Sequence, residues 1–164
     1  SINLLVVEDN EDVRQTTIAA QKAIDSCMTC SEASTLEQAM DICRREKIDA
    51  VLLDLNLDDS TGLGTVKRLL IEFPSLAIIV FTGTGAETEE EAIAHGAQDF
   101  VIKSSARATS AELNRIIRLA AMRKAPITPP PPSRIVERLD RVDANLTAIL
   151  DLHGVTSGSA QSQG

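Results

Sequence analysis

Tryptophan and tyrosine are absent and phenylalanine occurs only three times in 164 residues. A packed interior must therefore be built from Leu, Ile, Val and Ala. Positive charge is also scarce: 16 basic side chains face 24 acidic ones, a net charge of −8. General nucleic-acid affinity needs a basic face, which this balance argues against. No apolar stretch approaches the roughly 20 residues of a membrane span, and no secretory leader is visible. Three cysteines, an odd number, suggest a reducing, cytoplasmic setting rather than a disulfide framework. Cys27 and Cys30 are spaced as C-x-x-C. Redox pairs usually open a helix, and this pair runs into an expected strand, so it reads as two ordinary thiols. Four-thiol zinc sites are excluded by count.

What the chain does have is a set of apolar runs that end abruptly in polar groups. Val51-Leu52-Leu53-Asp54-Leu55-Asn56 reads as a strand covered on both faces, delivering Asp54 to its carboxyl end. Open parallel sheets bind their ligands there. Asn3 to Val7 likewise delivers Glu8 and Asp9. Three carboxylates at neighbouring strand tips repel one another unless a cation lies between them. Mg²⁺, a hard ion that favours carboxylate, phosphate and water oxygens, suits such a cluster.

In chain order, Asn10 is placed to cap a helix with Val13, Ile18, Ala19 and Ile24 inward. A short strand over 28–33 precedes a capping box, Ser34 to Glu37, and a helix with Leu36, Ala39, Met40 and Cys43 at helical spacing. A helix around 61–72 should bury Leu63, Val66, Leu70 and Ile71 before Pro74. The fourth strand, 76–81, opens into Thr82-Gly83-Thr84-Gly85, too short for a P-loop and lacking its Lys-Ser/Thr pair. An acidic helix from about Glu87 should end at His95, as a dipole partner, with Gly96 beyond it. The fifth strand, Asp99 to Ile102, delivers Lys103, and a capping box at Thr109 to Glu112 opens a helix to about Lys124. Five strands alternating with five helices predict an α/β fold, a doubly wound five-stranded parallel sheet. Residues 125–132 form a Pro-rich spacer, 133–153 a further amphipathic helix, and 154–164 a polar, disordered tail.

Phosphoryl transfer needs a nucleophile, a metal that neutralises oxygens, a hydroxyl donor and a fixed cation. Asp54, the Glu8–Asp9–Asp54 cluster, Thr82 and Lys103 supply these roles from separate strand tips. Strand ends collect polar residues in any case, which explains one such position more easily than all of them.

Over residues 2–124 the chain resembles the receiver domain of two-component response regulators. The resemblance is carried by Val7-Glu8-Asp9, Leu53-Asp54-Leu55-Asn56, Phe81-Thr82-Gly83 and Phe100-Val101-Ile102-Lys103. It implies a flavodoxin-like sheet and an Asp54 that accepts phosphoryl from a sensor histidine kinase or phosphotransfer protein. Mg²⁺ would be held by Glu8, Asp9, Asp54 and the Asn56 carbonyl. Thr82 and Lys103 would contact phosphoryl oxygens, and Phe100 would be an aromatic switch turning inward once Thr82 is drawn to them. Such a protein catalyses only its own phosphorylation and dephosphorylation and signals through protein contacts. Ser104 and Asp58 stand where the family usually has Pro, so the Lys103 loop is expected to differ in shape or mobility.

Three alternatives stand beside this reading. A dehalogenase-type phosphatase needs a second Asp where Asn56 lies, and a flavin module would meet an acidic first loop that repels phosphate. A degenerate receiver would act as a phosphorylation-independent binding module, against which intact Asp54, Thr82 and Lys103 argue. In the last helix Ile135, Val142 and Ile149 alternate with Leu139 and Leu146 as a short heptad pattern. It predicts coiled-coil self-association through 133–152 or capture of a partner helix; packing back onto the receiver is the competing reading.

Overall fold

The computed structural model describes residues 1–83 and 86–124. The predicted spacer, the helix over 133–153 and the tail lie outside the described residues. Five strands, β1 (Asn3–Val7), β2 (Thr29–Ala33), β3 (Ala50–Leu53), β4 (Ala77–Thr82) and β5 (Asp99–Ile102), form one sheet in the order β2-β1-β3-β4-β5. Every neighbouring pair is parallel. The helices are α1 (Glu11–Ile24), α2 (Leu36–Arg45), α3 (Gly64–Glu72), α4 (Glu89–Ala94) and α5 (Ser110–Arg123).

Alternation along each strand splits the interior in two. Leu5, Val7, Val51, Leu53, Ile78, Val80 and Phe100 pack with Leu36, Ala39, Val66, Leu69 and Ala92 of α2, α3 and α4. Leu4, Val6, Leu52, Ile79, Phe81 and Val101 pack with Ile18 of α1 and Leu113, Ile116, Ile117 and Ala120 of α5. The doubly wound five-stranded sheet is thus present, with an interior of aliphatic side chains and two phenylalanines.

Several local expectations shift. In α1, Ile18 is buried and Val13 half-buried, but Ala19 and Ile24 face solvent and Gln21 faces inward. The reason lies on α5: Asn114 Nδ2 donates to Gln21 Oε1 at 3.1 Å, and Gln21 Nε2 donates to the Ser110 carbonyl at 3.1 Å. One turn further along both helices, Arg118 pairs with the buried Asp25 at 2.7 Å. The two helices therefore meet along a polar seam as well as an apolar one. In α3, Leu69 is buried, Leu70 is half-buried and Ile71 is 83% exposed. The cap of α2 is Thr35, which accepts from the Gln38 amide, while Gln38 Oε1 takes the Ser34 amide and hydroxyl. The box is therefore displaced one residue from Ser34 and Glu37. Helix α4 starts after Thr88, which accepts from the Glu91 amide at 3.1 Å.

His95 closes α4, its Nδ1 2.7 Å from the Glu91 carbonyl. Gly96 follows at φ +107, and a Cβ there would lie 2.5 Å from Leu70 Cδ1. A left-handed backbone costs a side chain about 1–2 kcal/mol, and moving the flexible Leu70 tip adds to it. Gly96→Ala should therefore unfold at a urea concentration lower by about 1 M, taking a slope of about 1–3 kcal/mol/M. An unchanged midpoint would show that the turn is not under this constraint. Among the cysteines, Cys27 is exposed and Cys30 and Cys43 are half-buried, all free thiols. Burial, then Glu46 and Glu72, push the Cys43 thiol up to about 11, and burial also raises Cys30. Thiols shifted in that direction are poor nucleophiles.

Candidate functional site

The sheet ladder runs one step past three strands and fixes the site residues by their backbones. The Glu8 amide donates to the Ala33 carbonyl at 3.0 Å and the Asp54 amide to the Val7 carbonyl at 3.0 Å. The Lys103 amide donates to the Thr82 carbonyl at 2.7 Å. Side chains from β1, β3, β4 and β5 thereby line one open pocket of about 490 Å³, with Glu8, Asp9, Asp54, Asn56, Thr82 and Lys103 in its wall. Of the seven residues singled out in the sequence, six share this pocket.

Glu8, Asp54 and Thr82 are buried, and Asp9 and Asn56 are exposed at the rim. Glu8, Asp9 and Asp54 each present an oxygen, all within 4.8 Å of one another. Lys103 Nζ pairs with Glu8 Oε1, lies 3.9 Å from Asp54 Oδ2 and stands 5.6 Å above the Phe81 ring. Three carboxylates against one ammonium leave an excess of negative charge in a partly enclosed space, and three hard oxygens suit Mg²⁺. The Asp9 carboxyl is held above its ordinary 3.8, first by its hydrogen bond with Glu8, then by burial and the Glu8 charge. Because folding raises this pKa, the stability linked to it is present below about pH 3.8 and is lost as pH rises through the folded-state value. A bound cation opposes that loss.

The loop after β3 holds Asn56 in a tight frame. The Asn56 amide donates to Asp54 Oδ1 at 3.2 Å, Asn56 and Thr61 form an antiparallel bridge, and the Gly62 amide returns to the Leu55 carbonyl at 2.8 Å. Gly62 sits at φ +78, where a side chain is disfavoured. Asp59, in the same loop, accepts from the Leu36 and Glu37 amides at 2.9 and 3.0 Å, so it caps α2 from across the fold. Burial works to raise its pKa, but these two amides, its own amide and the Arg68 charge together leave it below the ordinary carboxylate value.

Phe100, the seventh residue, lies opposite Val80 on the Thr82 side of β4, two residues short of Thr82 itself. Phe100 as a whole is buried, 6% exposed. Local hydrogen bonds shape the segment after Lys103. Ser105 donates to the Ile102 carbonyl through its amide and its hydroxyl, and a 3₁₀ turn, Ala106–Ala108, follows. From that turn Arg107 reaches the Phe100 carbonyl at 3.0 Å and Asp99 Oδ2 at 2.9 Å.

Sequence reasoning did not single out Arg14, Asp59 or Arg107. Arg14 and Arg107 both donate to main-chain carbonyls, and no residue pattern announces such a partner.

Residues 4–115 match the family model of the response regulator receiver domain. Among curated proteins, regulatory protein LuxO of Vibrio cholerae is 36% identical over 92 residues, 55% of this chain and 20% of that protein. Transcriptional regulatory protein ZraR of Escherichia coli is 29% identical over 104 residues, 63% of this chain and 23% of that protein. The chain thus spans about a fifth of the length of these relatives. Among solved structures, a response regulator receiver domain protein from Clostridium thermocellum superposes with a TM-score of 0.67 at 24% identity, covering 78% of this chain and all of that one. A CheY-like receiver domain protein from Methanospirillum hungatei gives 0.66 at 18% identity, covering 75% and 95%.

Proposed function

Because the chain belongs to the response regulator receiver domain family, we propose that Asp54 accepts a phosphoryl group from a sensor histidine kinase or phosphotransfer protein. One observation carries the reading. The buried Asp54 carboxylate shares a pocket with two further carboxylates, both from the tip of β1, and with a hydroxyl from β4 and an ammonium from β5.

The transfer is a displacement at phosphorus. An Asp54 oxygen forms the new O–P bond, and the bond from phosphorus to the donor's histidine nitrogen breaks, its electron pair leaving with that nitrogen. Glu8, Asp9, Asp54 and the Asn56 carbonyl would hold Mg²⁺, which supplies neutralising charge to the phosphoryl oxygens when bound. Lys103 is held beside the acceptor by Glu8 and by the Phe81 face, so a short swing brings it to a phosphoryl oxygen. Thr82 then donates its hydroxyl to another. The Phe100 ring, on the same face as Thr82, transmits that shift to the groove of about 340 Å³ formed with Thr88, Glu89 and Arg107.

This reading makes the chain a signalling module that processes only its own phosphoryl group. Its output is phosphorylation-dependent contact with a partner or self-assembly through residues 133–152, and it works in the cytoplasm beside its kinase. Among the described residues no helix is long and apolar enough to cross a membrane. The binding-module alternative has no use for this assembled set of groups.

The test is incubation with acetyl phosphate and Mg²⁺. One hydroxylamine-labile phosphate per chain is expected by intact-mass measurement, and chelation of the metal beforehand should prevent it. A chain that stays unmodified under these conditions, or that is modified equally in chelator, rejects the proposal.

A further inference from the structure

Past Glu8 the first strand leaves the sheet. Its last ladder bond is the Glu8 amide to Ala33, and the carbonyl of the same residue is held from outside the sheet, by Arg14 on α1. Arg14 Nη1 donates to that carbonyl at 2.8 Å while Nε donates to Glu32 Oε1 on β2 at 3.1 Å. The Arg14 side chain is only 11% exposed, and Gln15 Nε2 holds the same Glu32 oxygen at 2.8 Å. A guanidinium is a rigid planar fork. With Nε fixed on Glu32, the direction of Nη1 is fixed too.

The carbonyl it grips belongs to the peptide unit joining Glu8 to Asp9. That unit is planar, so its orientation sets where the Asp9 Cα lies relative to the Glu8 Cα, and hence the spacing of their two carboxylates. We propose that Arg14 is a positioning residue for the divalent cation: by holding the Glu8–Asp9 peptide against α1 and β2, it keeps both carboxylates at ligating distance. The proposal rests on the cation-dependent reading of the pocket. It assigns Arg14 no contact with the cation or the phosphoryl group.

Two accounts of Arg14 differ in the sign of what its loss does. As a nearby positive charge alone, its removal would tighten cation binding. As a brace for the peptide, its removal loosens a pair of ligands, and outer partners of metal ligands commonly contribute about 10–100-fold in affinity. Without Trp or Tyr to report binding, calorimetric titration with MgCl₂ is the suitable readout. Arg14→Ala is expected to bind Mg²⁺ about tenfold more weakly than wild type, and Arg14→Lys, which keeps one donor and the charge, to recover part of the loss. In metal-free protein, NMR relaxation should show the Asp9 amide becoming more mobile in Arg14→Ala while Leu4 to Val7 stay rigid. Arg14→Gln takes the place of the alanine variant if that one does not fold. Mg²⁺ affinity equal to or tighter than wild type in a folded variant overturns the proposal. So does a loss that Arg14→Lys does not recover at all and that tracks a collapse of melting temperature in chelator. A wild-type chain that does not bind Mg²⁺ would instead reject the functional reading beneath it.

Discussion

Asp54→Asn is expected to take up no acyl phosphate from acetyl phosphate and Mg²⁺, where wild type takes up one. The substitution keeps the size of a residue that is only 7% exposed, so the surrounding packing has little reason to change. It removes two things at once. An amide oxygen, without the negative charge of a carboxylate, is a poor nucleophile toward phosphorus. The pocket also loses one of the three anions that draw a cation between β1 and β3. Intact-mass measurement after equal incubation times decides the matter. Labelling of the variant to the wild-type level would move the acceptor to another carboxylate in the pocket, with Glu8 and Asp9 the first to substitute. Retention of the fold is checked in the same samples by a cooperative urea transition.

The second large effect concerns the interior. Leu69→Ala should destabilise the fold by about 3 kcal/mol, since burial of a leucine in a close-packed site is lost and a cavity remains. Ile71→Ala, two residues along the same helix, should change stability by less than about 0.5 kcal/mol. Leu69 is wholly buried and Ile71 is 83% exposed, so urea denaturation of the pair gives a direct contrast. Equal costs at the two positions would show that α3 is rotated from its placement here.

That contrast also shows where a sequence stops being informative. The strands were legible because residues such as Val51 to Leu53 are apolar on both faces, and only a covered parallel sheet has room for such runs. The site followed from the same logic, as parallel strands present Glu8, Asp54, Thr82 and Lys103 at one edge whatever the helices do. Helix phase was less legible. In α3, Leu69, Leu70 and Ile71 are consecutive and all apolar, and nine residues are too few to fix by periodicity which of them points inward. In α1 the inward position is filled by Gln21, whose polarity argues for solvent until its partner, Asn114, is brought alongside from 93 residues away. Ser34 and Thr35 offer neighbouring hydroxyls, followed by Glu37 and Gln38 at the same interval. The burial of Leu36 and Ala39 against the sheet goes with the later pair as the cap. Arg14 and Asp59 were invisible because both grip the main chain, which every residue shares.

The amide pair between α1 and α5 has a mechanical consequence. Displacing α5 along its axis by one turn, about 5.4 Å, would carry Asn114 off Gln21 and Arg118 off Asp25 together. A buried amide left without its partner costs about 1–3 kcal/mol, and the Asp25 carboxylate would be stranded in the same movement. Sliding is thus a poor mode for this helix, whereas a small rotation about the seam keeps both pairs bonded. Residue 125 and everything after it are attached to the far end of α5. At the seam itself, motion of α5 is therefore expected as a swing about these paired side chains rather than as an axial stroke.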